Sequence, residues 1–185
     1  MHTKQLIGTV RSTRRRGVTL IEMAVVVAVT AIVASLAVPG LRELVDSRRL
    51  LGAATRLAVD VQFARAEAVA RNRTVRLSLQ TLPGATCYVI HTGSAAQCRC
   101  AGDGPAMCTG DAREIRTVVL TTADRVSVEA NVASIAFDPQ HGTSTPSGTL
   151  RAVDPGGRAV HHVVNVMGRV RSCSPAAAVV GYRAC

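Results

Sequence analysis

Residues 14–23 read Arg14-Arg15-Arg16-Gly17-Val18-Thr19-Leu20-Ile21-Glu22-Met23, and an apolar run continues from there to Pro39. Residues 18–41 form a stretch of 24 residues with one formal charge, Glu22. At about 1.5 Å per residue, a helix of that length crosses the roughly 30 Å hydrocarbon core of a bilayer. Lys4, Arg11, Arg14, Arg15 and Arg16 precede it with no acidic residue. The short N-terminal segment is therefore expected to stay cytoplasmic and the rest to cross, into the periplasm in a Gram-negative cell. A carboxylate inside such a segment costs roughly 2.5–3.5 kcal/mol. Glu22 therefore either snorkels back to the cytoplasmic interface or meets a partner there.

An ordinary secretory signal places small residues after its apolar segment, and residues 31–37 can supply them. The small residue that stands out is instead Gly17, ahead of the segment. The pattern Arg16-Gly17-Val18-Thr19-Leu20-Ile21-Glu22 resembles the class III signal of type IV prepilins and pseudopilins, with Val18 where most members carry phenylalanine. The resemblance implies that a prepilin peptidase cuts after Gly17, methylates the new amine of Val18 and leaves the helix attached. It also implies that Glu22 pairs with the terminal amine of a neighbouring subunit during filament assembly.

Setting aside the leader and the apolar span leaves room for one soluble domain of roughly 100–140 residues. Five of the 22 Lys and Arg sit in the leader, so the remainder carries 17 basic against 12 acidic residues, a net charge of +5. Two Tyr, two Phe and no Trp argue against a base-stacking or carbohydrate platform. Cys87, Cys98, Cys100, Cys108, Cys173 and Cys185 all fall on the translocated side, and an even number in an oxidising compartment reads as disulfides. Cys173 and Cys185 are expected to close a C-terminal loop. The other four staple the region around 93–110, in a pairing the spacing leaves open. That spacing lacks the usual zinc pairs, so no metal is expected.

Past Pro39, apolar residues recur at three- and four-residue steps: Leu41, Leu44, Val45, Leu51, Ala54, Leu57, Ala58, Val61, Ala64 and Ala68. The helix is expected to continue to about Asn72, bent at Pro39, where a backbone hydrogen bond is lost. The run Ala64-Arg65-Ala66-Glu67-Ala68 is similar to the end of the long helix in the minor pseudopilins grouped as GspH/FimT. From Thr74 the period switches to two. Val75, Leu77 and Leu79 alternate with Arg76 and Ser78, Pro83-Gly84 turns the chain, and 87–91 returns. Further strands are expected at 115–120, 126–129, 134–137, 149–153 and 159–166, with Asp154-Pro155-Gly156-Gly157 as a hairpin turn and 142–148 as a loop. Short strands without intervening helices make antiparallel sheets, and a long helix against them is an α+β layer architecture. The N-terminal resemblance implies the same arrangement, the pilin fold: leader 1–17, membrane half of the helix 18–41, and periplasmic helix plus antiparallel β domain 42–185.

Catalysis finds little support. His161 and His162 are adjacent on a strand and point to opposite faces, Asp138 near His141 is a coincidence in a loop, and no hydrolase or phosphate-loop motif occurs. From Pro139 onward the only acid is Asp154, against Arg151, Arg158, Arg169, Arg171 and Arg183. Gly168-Arg169-Val170-Arg171 places two guanidiniums on one face of an extended segment, about 6.6 Å apart, close to the spacing of neighbouring phosphates on a DNA strand. The plain alternative is a solvated edge strand, where charge discourages edge pairing. Gly-Arg-x-Arg resembles the DNA-binding tail of FimT-type minor pilins, which act in natural transformation. Together the resemblances imply a non-enzymatic, cofactor-free, single-pass inner-membrane subunit of a type IV pilus or type II secretion pseudopilus. Its partners would be prepilin peptidase and other minor pilins or pseudopilins, acting in filament priming and secretion. The alternative is capture of double-stranded DNA through Arg169 and Arg171.

Overall fold

The computed structural model describes residues 17–102 and 104–185. The basic leader residues Lys4, Arg11, Arg14, Arg15 and Arg16 lie outside that range, as does the side chain of Pro39. Two compact units divide between Leu41 and Arg42. One helix, α1, spans Leu20–Arg71 and is helical on both sides of Pro39, so the proline does not end it. Among the described residues, α1 is long and apolar enough to cross a membrane.

Both ends of α1 are capped by its own residues. Thr19 Oγ1 accepts the Glu22 N–H at 3.3 Å and Glu22 Oε2 accepts the Thr19 N–H at 3.5 Å, a reciprocal capping box that satisfies two orphan donors. At the other end Asn72 takes the left-handed conformation (φ 48°). The Arg73 N–H reaches the Ala68 carbonyl and the Asn72 N–H reaches that of Val69, closing the last turn.

In the unit Arg42–Cys185, Leu50, Ala54, Leu57, Val61, Ala64 and Ala68 are buried at alternating steps of four and three, the spacing of one helix face. The small alanines let the sheets approach the helix closely. The stripe starts later than the periodicity suggests: Leu41, Leu44 and Val45 are exposed, and Leu50 rather than Leu51 is its first fully buried member.

The strands are β1 Val75–Leu82, β2 Ala85–Thr92, β3 Cys98–Arg99, β4 Met107–Cys108, β5 Glu114–Thr121, β6 Ser127–Ala130, β7 Ser134–Phe137, β8 Ser144–Thr145, β9 Gly148–Val153, β10 Ala159–Val164 and β11 Val170–Cys173. They form a five-stranded sheet in the order β5-β2-β1-β7-β8, a four-stranded sheet in the order β11-β10-β9-β6, and the small ladder β3-β4. Every named pairing is antiparallel. Residues 142–148, read as a loop, contain β8 and the first residue of β9, and β10 stops at Val164 rather than 166. The main core joins Leu57, Val61, Ala64 and Ala68 to Leu77, Ile90, Ile135 and Phe137 of the first sheet and to Val128, Leu150 and Val164 of the second. A second cluster sets Leu50 and Ala54 against Ala152, Val160 and Val179.

Strand β2 is covered on both faces. Tyr88 and Ile90 belong to the main core, and Cys87 and Val89 to a cluster with Cys98, Cys100 and Ala112. There the bonds are Cys87–Cys100 and Cys98–Cys108, and the Gln80 side chain joins them by donating to the Cys98 carbonyl and accepting the Cys100 N–H, both at 2.9 Å. Cys173–Cys185 closes the C-terminal loop around the buried Ser174, whose hydroxyl donates to the Ala159 carbonyl at 2.8 Å and accepts the Val179 N–H. With few aromatics available to enlarge the core, such cross-links supply order that a small β domain otherwise lacks.

Candidate functional site

Two regions carry the features expected to act. In the first unit, Val18 is 64 % exposed and the apolar side chains of α1 point outward, with Leu20, Ile21 and Leu36 all more than 70 % exposed. A Cβ built on Gly17 would meet nothing within 4 Å, so the residue before Val18 stands in open space. Glu22, the one acid here, sits in the first turn of α1 and caps it.

The second region is the β10–β11 hairpin. Asn165 Oδ1 organises its turn by accepting the N–H groups of Met167 (3.1 Å) and Arg169 (3.0 Å). Gly168 has φ 69°, and a Cβ there would run into the Gly142 carbonyl and come within 2.9 Å of Arg65 Nε. Arg65 reaches from α1 and donates to that same carbonyl at 2.8 Å. The glycine of Gly-Arg-x-Arg is thus required by close packing and backbone conformation alone. Arg169, in the turn, and Arg171, on the outer edge strand β11, follow it, both exposed, and neither makes an ion pair among the described residues.

Other titratable groups are committed to the fold. Asp60, wholly buried on α1, accepts the Tyr88 hydroxyl at 2.7 Å and pairs with Arg116, whose guanidinium lies over the Phe63 ring. Burial first and the Asp60 bond second push the Tyr88 phenol far up. Removing one partner would leave a buried charge or hydroxyl uncompensated, so this cluster ties helix to sheet. His91 Nδ1 donates to its neighbour's carbonyl, so Nε2 accepts the Ser78 hydroxyl, and burial holds the ring neutral. His162 is buried and bonded to Ser172 through Nδ1; its Nε2 approaches the Ala54 carbonyl without completing a hydrogen bond. His161 and His162 do lie on opposite faces of β10, one half-buried and the other fully buried. Asp138 accepts the N–H groups of Gln140 and His141 and thereby shapes a turn. Among the described residues no cluster of His, Cys, Asp and Glu is suited to a metal.

The contacts of Arg65, Asp60 and Ser174 and the capping role of Thr19 escape a reading of the sequence by motif. Two left a trace: Thr19-x-x-Glu22 has capping-box spacing, and Asp60 stands three residues from Leu57 and four from Ala64, on the buried face.

The family model for the type II transport protein GspH matches residues 53–168, and that for the prokaryotic N-terminal methylation motif matches residues 12–38. Two crystal structures of the type IV minor pilin FimU of Pseudomonas aeruginosa strain PAO1 are similar, each with a TM-score of 0.48. Their identities are 17 % and 18 %, covering 68 % and 69 % of this chain and 96 % and 93 % of theirs. No curated protein sequence matches it. The GspH match runs over more than half of the chain and lies behind a methylation motif, on a long helix packed against antiparallel sheets: the chain belongs to the GspH family of pilin-like structural proteins.

Proposed function

We propose that the chain is a minor pilin or pseudopilin held in the inner membrane by residues 18–41, with residues 42–185 on the periplasmic side. Prepilin peptidase removes 1–17 and methylates Val18, and the helix then enters a pilus or secretion pseudopilus, where the globular unit touches other minor subunits and helps to prime assembly. The observation that carries this reading is a helix apolar on all sides and exposed, with a single carboxylate in its first turn. Such a surface calls for lipid first and neighbouring helices afterwards. Glu22 would exchange its capping bond for the amine of a neighbour, a charge-assisted contact of about 1.5–3 kcal/mol, or roughly ten- to hundredfold in affinity. Mass spectrometry after co-expression with the peptidase is expected to show loss of residues 1–17 and gain of one methyl group. Glu22→Ala is expected to stay in the membrane while its recovery in sheared filaments falls at least about tenfold. Equal recovery of variant and parent overturns the assembly role.

The exposed, unpaired Arg169 and Arg171 favour a second reading, capture of DNA for uptake. Both would hold backbone phosphates, so binding would be salt-sensitive and indifferent to sequence. In fluorescence anisotropy with the full-length chain in uncharged detergent, Arg169→Ala with Arg171→Ala is expected to reduce the log–log salt slope on duplex DNA by about 1.8. Absence of salt-sensitive binding by the parent at micromolar concentration overturns this second reading.

A further inference from the structure

We propose that Arg151 is a third phosphate-binding residue and that it makes this face select duplex over single-stranded DNA; the proposal rests on the DNA-capture reading above. Residues directly opposite across antiparallel strands project to the same side of a sheet. The register runs Glu129 opposite Arg151 opposite His161 opposite Cys173 in one row, and Thr149 opposite Val163 opposite Arg171 in the next. Burial agrees: Arg151, Val163 and Arg171 are exposed, whereas Leu150, Ala152, Val160, His162 and Val164 between them are buried. Arg151 on β9 therefore shares an outward face with Arg171 on β11, and Arg169 stands in the turn that leads into that strand.

Arg151 is displaced from Arg171 by two strands and one row. With strands about 4.8 Å apart and about 3.3 Å per residue, their Cα atoms are about 12 Å apart. Arg169 lies two residues before Arg171, so their Cα atoms are at most about 7 Å apart. The shorter of these two spacings fits adjacent phosphates of one DNA strand, and the longer matches the roughly 12 Å width of a major groove. A duplex holds that longer spacing rigidly, whereas a single strand reaches it only between phosphates two apart and after losing conformational freedom. The space between the arginines holds Thr149, Val163 and His161, and burial followed by the charge of Arg151 lowers the His161 pKa, so the ring adds no charge at neutral pH. Glu129, exposed on the neighbouring edge strand β6, stands directly opposite Arg151, yet Arg151 makes no ion pair among the described residues.

The test is anisotropy titration of the full-length chain in uncharged detergent with a labelled short duplex and a single strand of the same length, over a range of salt. Arg151→Gln is expected to lower the duplex salt slope by about 0.9, weaken duplex binding about tenfold and weaken single-strand binding by clearly less. Arg151→Lys is expected to keep the slope, and so is Arg99→Gln, which removes the same charge from the exposed cysteine loop. If Arg151→Gln weakens both ligands equally, or neither, while the Arg169→Ala, Arg171→Ala variant still loses binding, this inference falls and the DNA-capture reading stands. If the parent binds neither ligand in a salt-sensitive way, the DNA-capture reading itself falls, and this inference with it.

Discussion

Residues 20–41 and residues 50–68 belong to one helix, and both are rich in Val, Leu and Ala, yet Leu36 is 76 % exposed and Leu57 is wholly buried. The difference lies in how the apolar residues are distributed. In the second stretch the large ones, Val59 excepted, keep mainly to one face at steps of four and three, with Arg56 and Arg71 exposed elsewhere on the helix, so a single sheet-facing stripe satisfies them. In the first they surround the helix, and no single packed layer could cover them. Hydrophobic sequence therefore serves two ends here: internal cohesion where it is striped, and dependence on lipid or on other subunits where it is not.

The comparison breaks if truncation costs the same in both stretches. Leu57→Ala is expected to destabilise the globular unit by about 2–5 kcal/mol through lost burial and a residual cavity. Leu36→Ala is expected to change that unit's stability by less than about 0.5 kcal/mol. Denaturant unfolding followed by the near-ultraviolet signal of the buried Tyr88 reads both.

The buried stretch is also expected to depend on pH. His162 faces the Ala54 turn from β10, and burial lowers its pKa from 6.5 to about 4. The unfolded chain therefore binds a proton between those values that the folded chain refuses. Stability is complete above about pH 6.5 and falls as pH drops towards 4, by roughly 2–3 kcal/mol. The carboxylates of Asp46, held low first by Arg125, and of Asp124, held low by the Thr121 amide, lose their contribution only below that window. A melting-temperature profile from pH 7 to pH 4 is expected to flatten in His162→Gln, which keeps a partner for Ser172. An unchanged slope removes His162 as the cause.

The smallest effect sharpens where the helix stops. Asn72 holds φ 48° at the last turn, so Asn72→Val is expected to cost about 1–2 kcal/mol and Asn72→Gly almost nothing. Thermal unfolding of the two variants side by side distinguishes a conformational requirement from a side-chain contact.

Much of this architecture was legible in sequence because local chemistry carries it. The helix ends at Arg71 where the period changes, and β1 and β2 flank Pro83-Gly84 as an alternating pattern and a turn pair demand. Strands β3, β4 and β8, two residues each, carry no pattern of their own; they exist because disulfides and neighbouring strands hold them in register. Periodicity also overran the core at Leu41, Leu44 and Val45, since spacing shows which face is apolar but not where the sheets stop. Of the candidate sites, Gly17, Glu22, Arg169 and Arg171 were visible as motifs, whereas the Arg65–Gly142–Gly168 contact joins residues up to about a hundred positions apart and has no local signature.

By itself the sequence determined a helix apolar enough to span a bilayer, its single acid, the switch to strands and the concentration of arginine near the C-terminus, because each rests on interactions within a few residues. Tertiary structure alone decided how Cys87, Cys98, Cys100 and Cys108 pair, that Asp60 is buried against Tyr88 and Arg116, and that Arg151 stands on the same face as Arg171. Those depend on strand order and register, which arise only when distant segments bury their apolar faces together.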